Sequence, residues 1–179
     1  MDDTWHERRR AVQARIEHLT RQGVCYTCHH LRTGEVFPEQ VGIWDAPMFQ
    51  IVLEPYPRMR GHTIIVWKSH RADFSELTPE EWQPCMGACR AAAEALKVAL
   101  GAERVYLNSM CDGEINHLHF QLFPRYAGDR IGSSRFVLPR HPVQHAPEDA
   151  EAIRAAFARV WEREAGGWPP TDGRPPADG

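Results

Sequence analysis

Along residues 4–21 apolar positions recur at helical spacing between charged ones, with Val12, Ile16 and Leu19 on one face, which predicts an exposed first helix. The pattern changes at MFQIVLEP (48–55) and HTIIVWK (62–68), two runs rich in β-branched residues separated by the Pro- and Gly-bearing segment 56–61. These predict a hairpin with a long loop. Thr78-Pro79-Glu80-Glu81 predicts a helix start: Thr78 is placed to cap, Pro79 falls at the first helical position, and Glu81 completes a capping box. That helix extends to Leu100 and stops at Gly101. ERVYLNSM (103–110) and HLHFQLFP (117–124) predict two more strands joined through 111–114, and PEDAEAIRAAFARVWERE (147–164) a last helix.

Strand, strand, helix, strand, strand is the order expected of an α+β domain, here a largely antiparallel sheet packed with a long helix and flanked by extra N- and C-terminal helices. The expected divisions are an N-terminal helix (1–22), a main domain (23–140), a C-terminal helical extension (141–165) and a Pro/Gly-rich flexible tail (166–179). No internal repeat is evident.

Composition narrows the classes. A chain of 179 residues suits one domain with its own core. The net charge of −3, with no Lys/Arg stripe beyond short groups such as Arg8-Arg9-Arg10, argues against a nucleic-acid partner. A small anionic ligand stays open, because a few local donors suffice for one. The N-terminus is charged and lacks an apolar signal core, and no stretch approaches the roughly 18 apolar residues of a membrane span. The expectation is a cytoplasmic protein with no membrane partner. In such a reducing compartment the five cysteines point to metal ligation or reactive thiols rather than disulfides.

CYTCHH (25–30) fits three chemistries: C-x-x-C-H haem attachment, a C-x-x-C redox centre, or half a zinc site. The missing export signal weighs against haem. Pro84-Cys85 with Cys89 is close to the P-C-x-x-C half of a nucleobase deaminase, but it has one residue too many and no H-x-E partner. Spacing by four on a helix instead places Cys85 and Cys89 on one face beside Trp82, as packed core. Cys111 reads as a loop thiol.

In HLHFQLF the period of two sends His117, His119, Gln121 and Phe123 to one face and Leu118, Phe120 and Leu122 to the other. The second face is core. Two imidazoles and an amide in a row add little to a strand's stability, so they mark a candidate site.

NHLHFQL resembles the His-x-His-x-His/Gln strand of the histidine triad (HIT) superfamily, and RGHTIIVWKSH (60–70) resembles its preceding G-H-T-hydrophobic-P-K-x-H segment. With C-x-x-C, the capped helix and the triad in the family's order, the resemblance covers roughly residues 22–126. It implies a nucleotide-processing enzyme in which His119 attacks the α-phosphorus and passes the nucleotidyl group to water or another acceptor. Imidazole chemistry agrees, since a neutral ring is both a competent nucleophile and a good leaving group, provided its other nitrogen is held by an acceptor.

Gln121 at the third position resembles the transferase branch, the galactose-1-phosphate uridylyltransferases and dinucleoside polyphosphate phosphorylases. An amide donates to a non-bridging phosphate oxygen but does not shuttle a proton, which favours phosphate or a sugar phosphate over water as acceptor. A hydrolase of nucleoside phosphoramidates or dinucleotides is the alternative. From another class, the alternative is a zinc-held nucleotide-binding module without turnover, for which Glu114 near the phosphates is the argument.

Family members with the N-terminal C-x-x-C bind zinc through positions that correspond to Cys25, Cys28, His70 and His117, a closed and therefore structural site. His29 and His30 compete for those places. The resemblance also implies nucleotide contacts at Glu54 (ribose hydroxyls) and Asn108, and a homodimer formed through the long helix and a sheet edge. Two departures stand out: Gly113-Glu114-Ile115-Asn116 replaces small or polar residues before the triad, and Trp67 replaces the usual proline. Arg58, Arg60, Lys68 and Arg125 are the nearest cations for phosphates, each more readily read as surface charge.

Overall fold

The computed structural model describes residues 3–111, 113–129 and 142–164; the expected tail lies outside them. Helices α1 (Asp3–Arg21) and α2 (Tyr26–Thr33) precede strands β1 (Val41–Asp45), β2 (Phe49–Leu53) and β3 (Thr63–Trp67). A 3₁₀ turn (Phe74–Glu76), the long α3 (Pro79–Leu100), β4 (Arg104–Asn108), β5 (His119–Arg125) and α4 (Asp149–Glu164) follow. The strands form one antiparallel sheet in the order β1-β2-β3-β5-β4. The α+β expectation stands.

α3 starts as its sequence predicts. The Thr78 hydroxyl accepts from the Glu81 N–H, the Glu81 carboxylate accepts from the Thr78 N–H, and Gly101 ends the helix at φ 70°. Two elements were not foreseen. α2 spans only eight residues and is capped by a thiol, Cys25 Sγ accepting from the Cys28 N–H at 3.5 Å. β1 is a short edge strand with a bulge between Gly42 and Trp44, where the Arg154 guanidinium donates to the carbonyls of Gly42 and Ile43.

One face of the sheet carries the main core. Ile43, Ile51, Ile65, Leu118, Phe120 and Leu122 pack against Cys85, Ala88, Cys89, Ala92 and Ala95 of α3 and Ile153, Phe157 and Trp161 of α4. Small residues along α3 let its backbone lie close to the strands. Cys85 and Cys89 are thus core, as expected, but Trp82 is not: it stands 44% exposed beside Phe74.

The opposite face is covered by α1 and the segment after α2 through a much smaller cluster, Trp5, Val12 and Tyr56 with Ile16 and Phe37. At one end of the sheet the fully buried Asp149 carboxylate accepts from Arg60 at 2.6–3.1 Å and from the Ala146 N–H at 2.7 Å. This ties α4 to the β2–β3 loop. The neighbouring Gly61 has φ 76°, and a Cβ there would sit 2.6 Å from Leu100 Cδ1. Only glycine fits this approach, which sets the next residue, His62, into the sheet.

Candidate functional site

The geometry around β5 is one directional chain of hydrogen bonds, and its start is a backbone group. The Arg58 N–H donates to His62 Nδ1 at 3.3 Å, so the proton of the neutral ring sits on Nε2. His62 Nε2–H then donates to Gln121 Oε1 at 3.2 Å. The Gln121 amide nitrogen therefore faces His119 Nε2, 3.4 Å away, and donates to it. His119 Nδ1–H donates to the His117 carbonyl at 2.8 Å. Each link fixes the next, and the outcome is a neutral His119 whose Nε2 lone pair is free of a proton. His62 is fully buried, its ring tilted against that of Phe123 with the centroids 4.4 Å apart. It is assigned no role from the sequence; its signal is a histidine opening a strand whose same-face neighbours are Ile64 and Val66.

Cys111 also belongs here, not to a bare loop. Its thiol reaches Ser109 Oγ at 3.6 Å and the His117 carbonyl at 3.8 Å. Hydrogen bonding to His119 holds its pKa below the usual thiol value against the effect of burial. Conversely, burial draws the His119 imidazole down, but Cys111, the His117 carbonyl and Glu54 outweigh it and leave the ring above its ordinary value.

Two cavities meet at His119 and Gln121. The first, about 200 Å³, has apolar walls that include Val12, Ile16, Phe37 and Val66, with the Glu54 carboxylate among them. The second, about 640 Å³, is lined by polar groups including Glu17, Arg21, Arg58, Glu114 and Asn116. Glu54 thus shares a chamber with His119. Asn108 pairs with Gln121 across β4 and β5 but lines neither cavity. Of the four cations considered for phosphates, only Arg58 lines a chamber; Arg60 binds Asp149, Lys68 binds Asp45 at 2.6 Å and Arg125 binds Glu103 at 3.3 Å.

The other end of the triad strand is a cluster of four metal-ligand types. The donor atoms of Cys25, Cys28, His70 and His117 all lie within 4.8 Å of one another. His117 Nδ1 is 3.4 Å from Cys25 Sγ and 3.3 Å from Cys28 Sγ, and His70 Nδ1 is 3.3 Å from Cys28 Sγ. Tetrahedral zinc, with bonds of about 2.3 Å to sulfur and about 2.0–2.1 Å to nitrogen, separates S and N ligands by about 3.5 Å. The residues fit that ion.

His117 Nε2–H donates to the Trp67 carbonyl at 2.6 Å, so Nδ1 presents its lone pair to the cluster. Trp67, the residue in place of proline, is itself buried against Phe49. Burial opposes ionisation of Cys25, yet His117 and the Cys28 N–H bring its pKa down to about 6. Burial and the adjacent Cys25 push Cys28 up to about 11. The pair alone thus carries one negative charge at neutral pH, and a divalent cation is what would let both thiols ionise. His29 and His30 turn elsewhere, to Glu35 and to Gln40.

A five-stranded antiparallel sheet presenting His-x-His-x-Gln beside a Cys/His cluster defines a histidine triad fold. Comparison agrees: a profile of the HIT domain matches residues 38–128, and the chain belongs to the HIT family. An uncharacterised HIT-like protein of Methanocaldococcus jannaschii is 32% identical over 109 residues, covering 59% of this chain and 82% of that one. A zinc-bound histidine triad family protein of Mycobacterium smegmatis shares the fold with a TM-score of 0.61 at 22% identity, over 78% of this chain and 96% of its own. A hypothetical histidine triad nucleotide-binding protein of Sulfolobus tokodaii superposes with a TM-score of 0.58 at 19% identity, over 80% and 98% of the two chains. No helix among the described residues is long and apolar enough to cross a membrane.

Proposed function

We propose that this protein is a nucleotidyltransferase or phosphorylase that works through a covalent nucleotidyl-His119 intermediate. The observation that carries the reading is the unprotonated His119 Nε2 at the junction of two chambers, one apolar and one polar. The apolar chamber takes the nucleoside, with Glu54 accepting from the ribose hydroxyls. The polar chamber takes first the leaving group and then the acceptor.

The chemistry follows from the hydrogen-bond chain. His119 Nε2 attacks the α-phosphorus, the N–P bond forms, and the bond from phosphorus to the leaving group breaks with its electron pair on that group. The His117 carbonyl, accepting from Nδ1–H, steadies the positive charge that develops on the ring. Gln121, held by His62, turns its N–H from Nε2 to a non-bridging oxygen. The acceptor then attacks from the polar chamber and releases His119. Gln121 has no proton to give or take at neutral pH, which supports an acceptor that is already anionic over water.

The Cys25, Cys28, His70 and His117 site is assigned to structural zinc. When bound, the ion supplies a fixed charge that holds both thiols ionised. The residues around it then orient the segment entering β5, because His117 is tied to it through Nδ1 and to Trp67 through Nε2. A cytoplasmic homodimer and a main domain over 23–140 belong to the same reading, as does Asn108 set toward the nucleotide from beside Gln121 rather than from within either chamber.

Intact mass of the protein incubated with a nucleotide panel tests it. A nucleotidyl adduct is expected on the wild type and absent from His119→Ala, and it should discharge faster with phosphate or a sugar phosphate than with water. Faster discharge by water selects the hydrolase. Tight nucleotide binding without any adduct selects the binding module, the reading that Glu114 in the polar chamber favours.

A further inference from the structure

Helix α1 lies wholly before residue 38, where the match to the HIT domain begins, yet it lines both chambers. Val12 enters the apolar one, Glu17 and Arg21 the polar one, and Gln13 and Ile16 line both. Its apolar seat, Trp5 and Val12 with Ile16, is small beside the main core. Trp5 packs edge-on against Tyr56 at 5.6 Å, and Arg8 pairs with Glu39 at 2.9 Å in solvent. An exposed pair of that kind contributes little, and a helix with so small an apolar seat opens more readily than the core. Gln13 is exposed and, among the described residues, engaged with its helical neighbour, donating to Glu17 at 3.2 Å. It can therefore redirect its amide at little cost.

We propose that α1 is a substrate-contacting roof, with Ile16 packing on the nucleoside and Gln13 donating to the phosphoryl group at the junction. The inference rests on the nucleotide reading above and deepens it: part of the specificity lies in a helix outside the family's domain. Ligand binding then tightens α1 onto the sheet, since the nucleotide fills the space between them.

The test uses the full-length, zinc-loaded protein, with AMP, GMP, CMP and UMP as binding probes and the corresponding nucleoside diphosphates, which carry phosphate as a leaving group, for adduct formation. Calorimetry gives affinity, and hydrogen–deuterium exchange over residues 3–21 reads the roof. The nucleotide that binds best should slow exchange in α1. Ile16→Ala should weaken its binding about tenfold, Ile16→Leu should restore it, and Gln13→Ala should slow adduct formation about tenfold. Arg15→Ala, on the same helix but lining neither chamber, controls for helix stability and should change neither reading. Exchange of α1 in nucleotide-free Ile16→Ala must match wild type, or the loss is one of helix docking and the proposal is wrong. If a nucleotide binds wild type while α1 exchange and Ile16→Ala affinity stay unchanged, α1 is a bystander and only this inference fails. If none of the four binds, it falls together with the nucleotide reading.

Discussion

The two faces of this sheet are built on different rules. The face toward α3 and α4 is a broad apolar layer in which many side chains share the burial, so no single contact determines the others. The face toward α1 and α2 is narrow, and its working part is a chain in which every proton position follows from the one before, from the Arg58 amide through His62 and Gln121 to His119. Stability is spread over the first face, whereas reactivity is concentrated along one line on the second. The two should separate cleanly under mutation.

His119→Ala should show the largest effect, lowering turnover by at least about 10⁴-fold because the covalent route is gone. Its thermal midpoint should stay within a few degrees of wild type, since His119 lies outside the main core. Phe157→Ala is the reverse experiment. It should cost about 3–5 kcal/mol in denaturant titrations, as expected for truncating a fully buried ring, while whatever remains folded keeps its adduct chemistry. If Phe157→Ala abolished adduct formation in the folded fraction, the separation of the faces would be refuted.

Asp149→Ala should cost less, about 2–3 kcal/mol, at the low end for a broken buried pair because Arg60 is 46% exposed. Burial raises the Asp149 carboxyl, but Arg60 and the Ala146 N–H outweigh it and leave the pKa below its ordinary value. Its contribution is therefore present at neutral pH and is lost as pH falls below about 3.9. Wild type and variant should converge in stability there, and a gap that persists at lower pH would assign the effect to something other than the ion pair.

The smallest effect is a shift in a pH profile. With its pKa raised, His119 is protonated, and so disarmed, at a higher pH than a free imidazole. The acid limb of single-turnover adduct formation should lie above about 6.5. Cys111→Ala removes the leading contact that raises it and should move that limb toward lower pH.

What the sequence disclosed and what it withheld follow the same division. α3 was legible from Thr78 to Gly101 because its capping box and terminating glycine are local signals. The alternation in β5 identified the core face, since Leu118, Phe120 and Leu122 are all buried in the main cluster. α2 escaped because eight residues capped by a thiol show no periodicity, and β1 because a glycine and a bulge break its alternation. The Cys/His grouping was reached through resemblance, and the structure gathers those four residues and leaves out His29 and His30. Cys111 carried no local mark of its role and His62 only its place at the opening of a strand; both roles depend on contacts across the sheet or around a turn that no spacing rule encodes.

The Arg58 amide has a last consequence, for how variation at this site should be read. What position 58 contributes to the start of the chain is a peptide group, so the identity of its side chain is immaterial to His62. Nineteen of the twenty amino acids supply the same donor there; proline alone does not. A comparison of side chains alone would weigh position 58 only for the charge it brings to the polar chamber, while one substitution would let the His62 ring exchange its tautomer, release the Gln121 amide to turn over, and present an oxygen lone pair to the nucleophile in place of a proton.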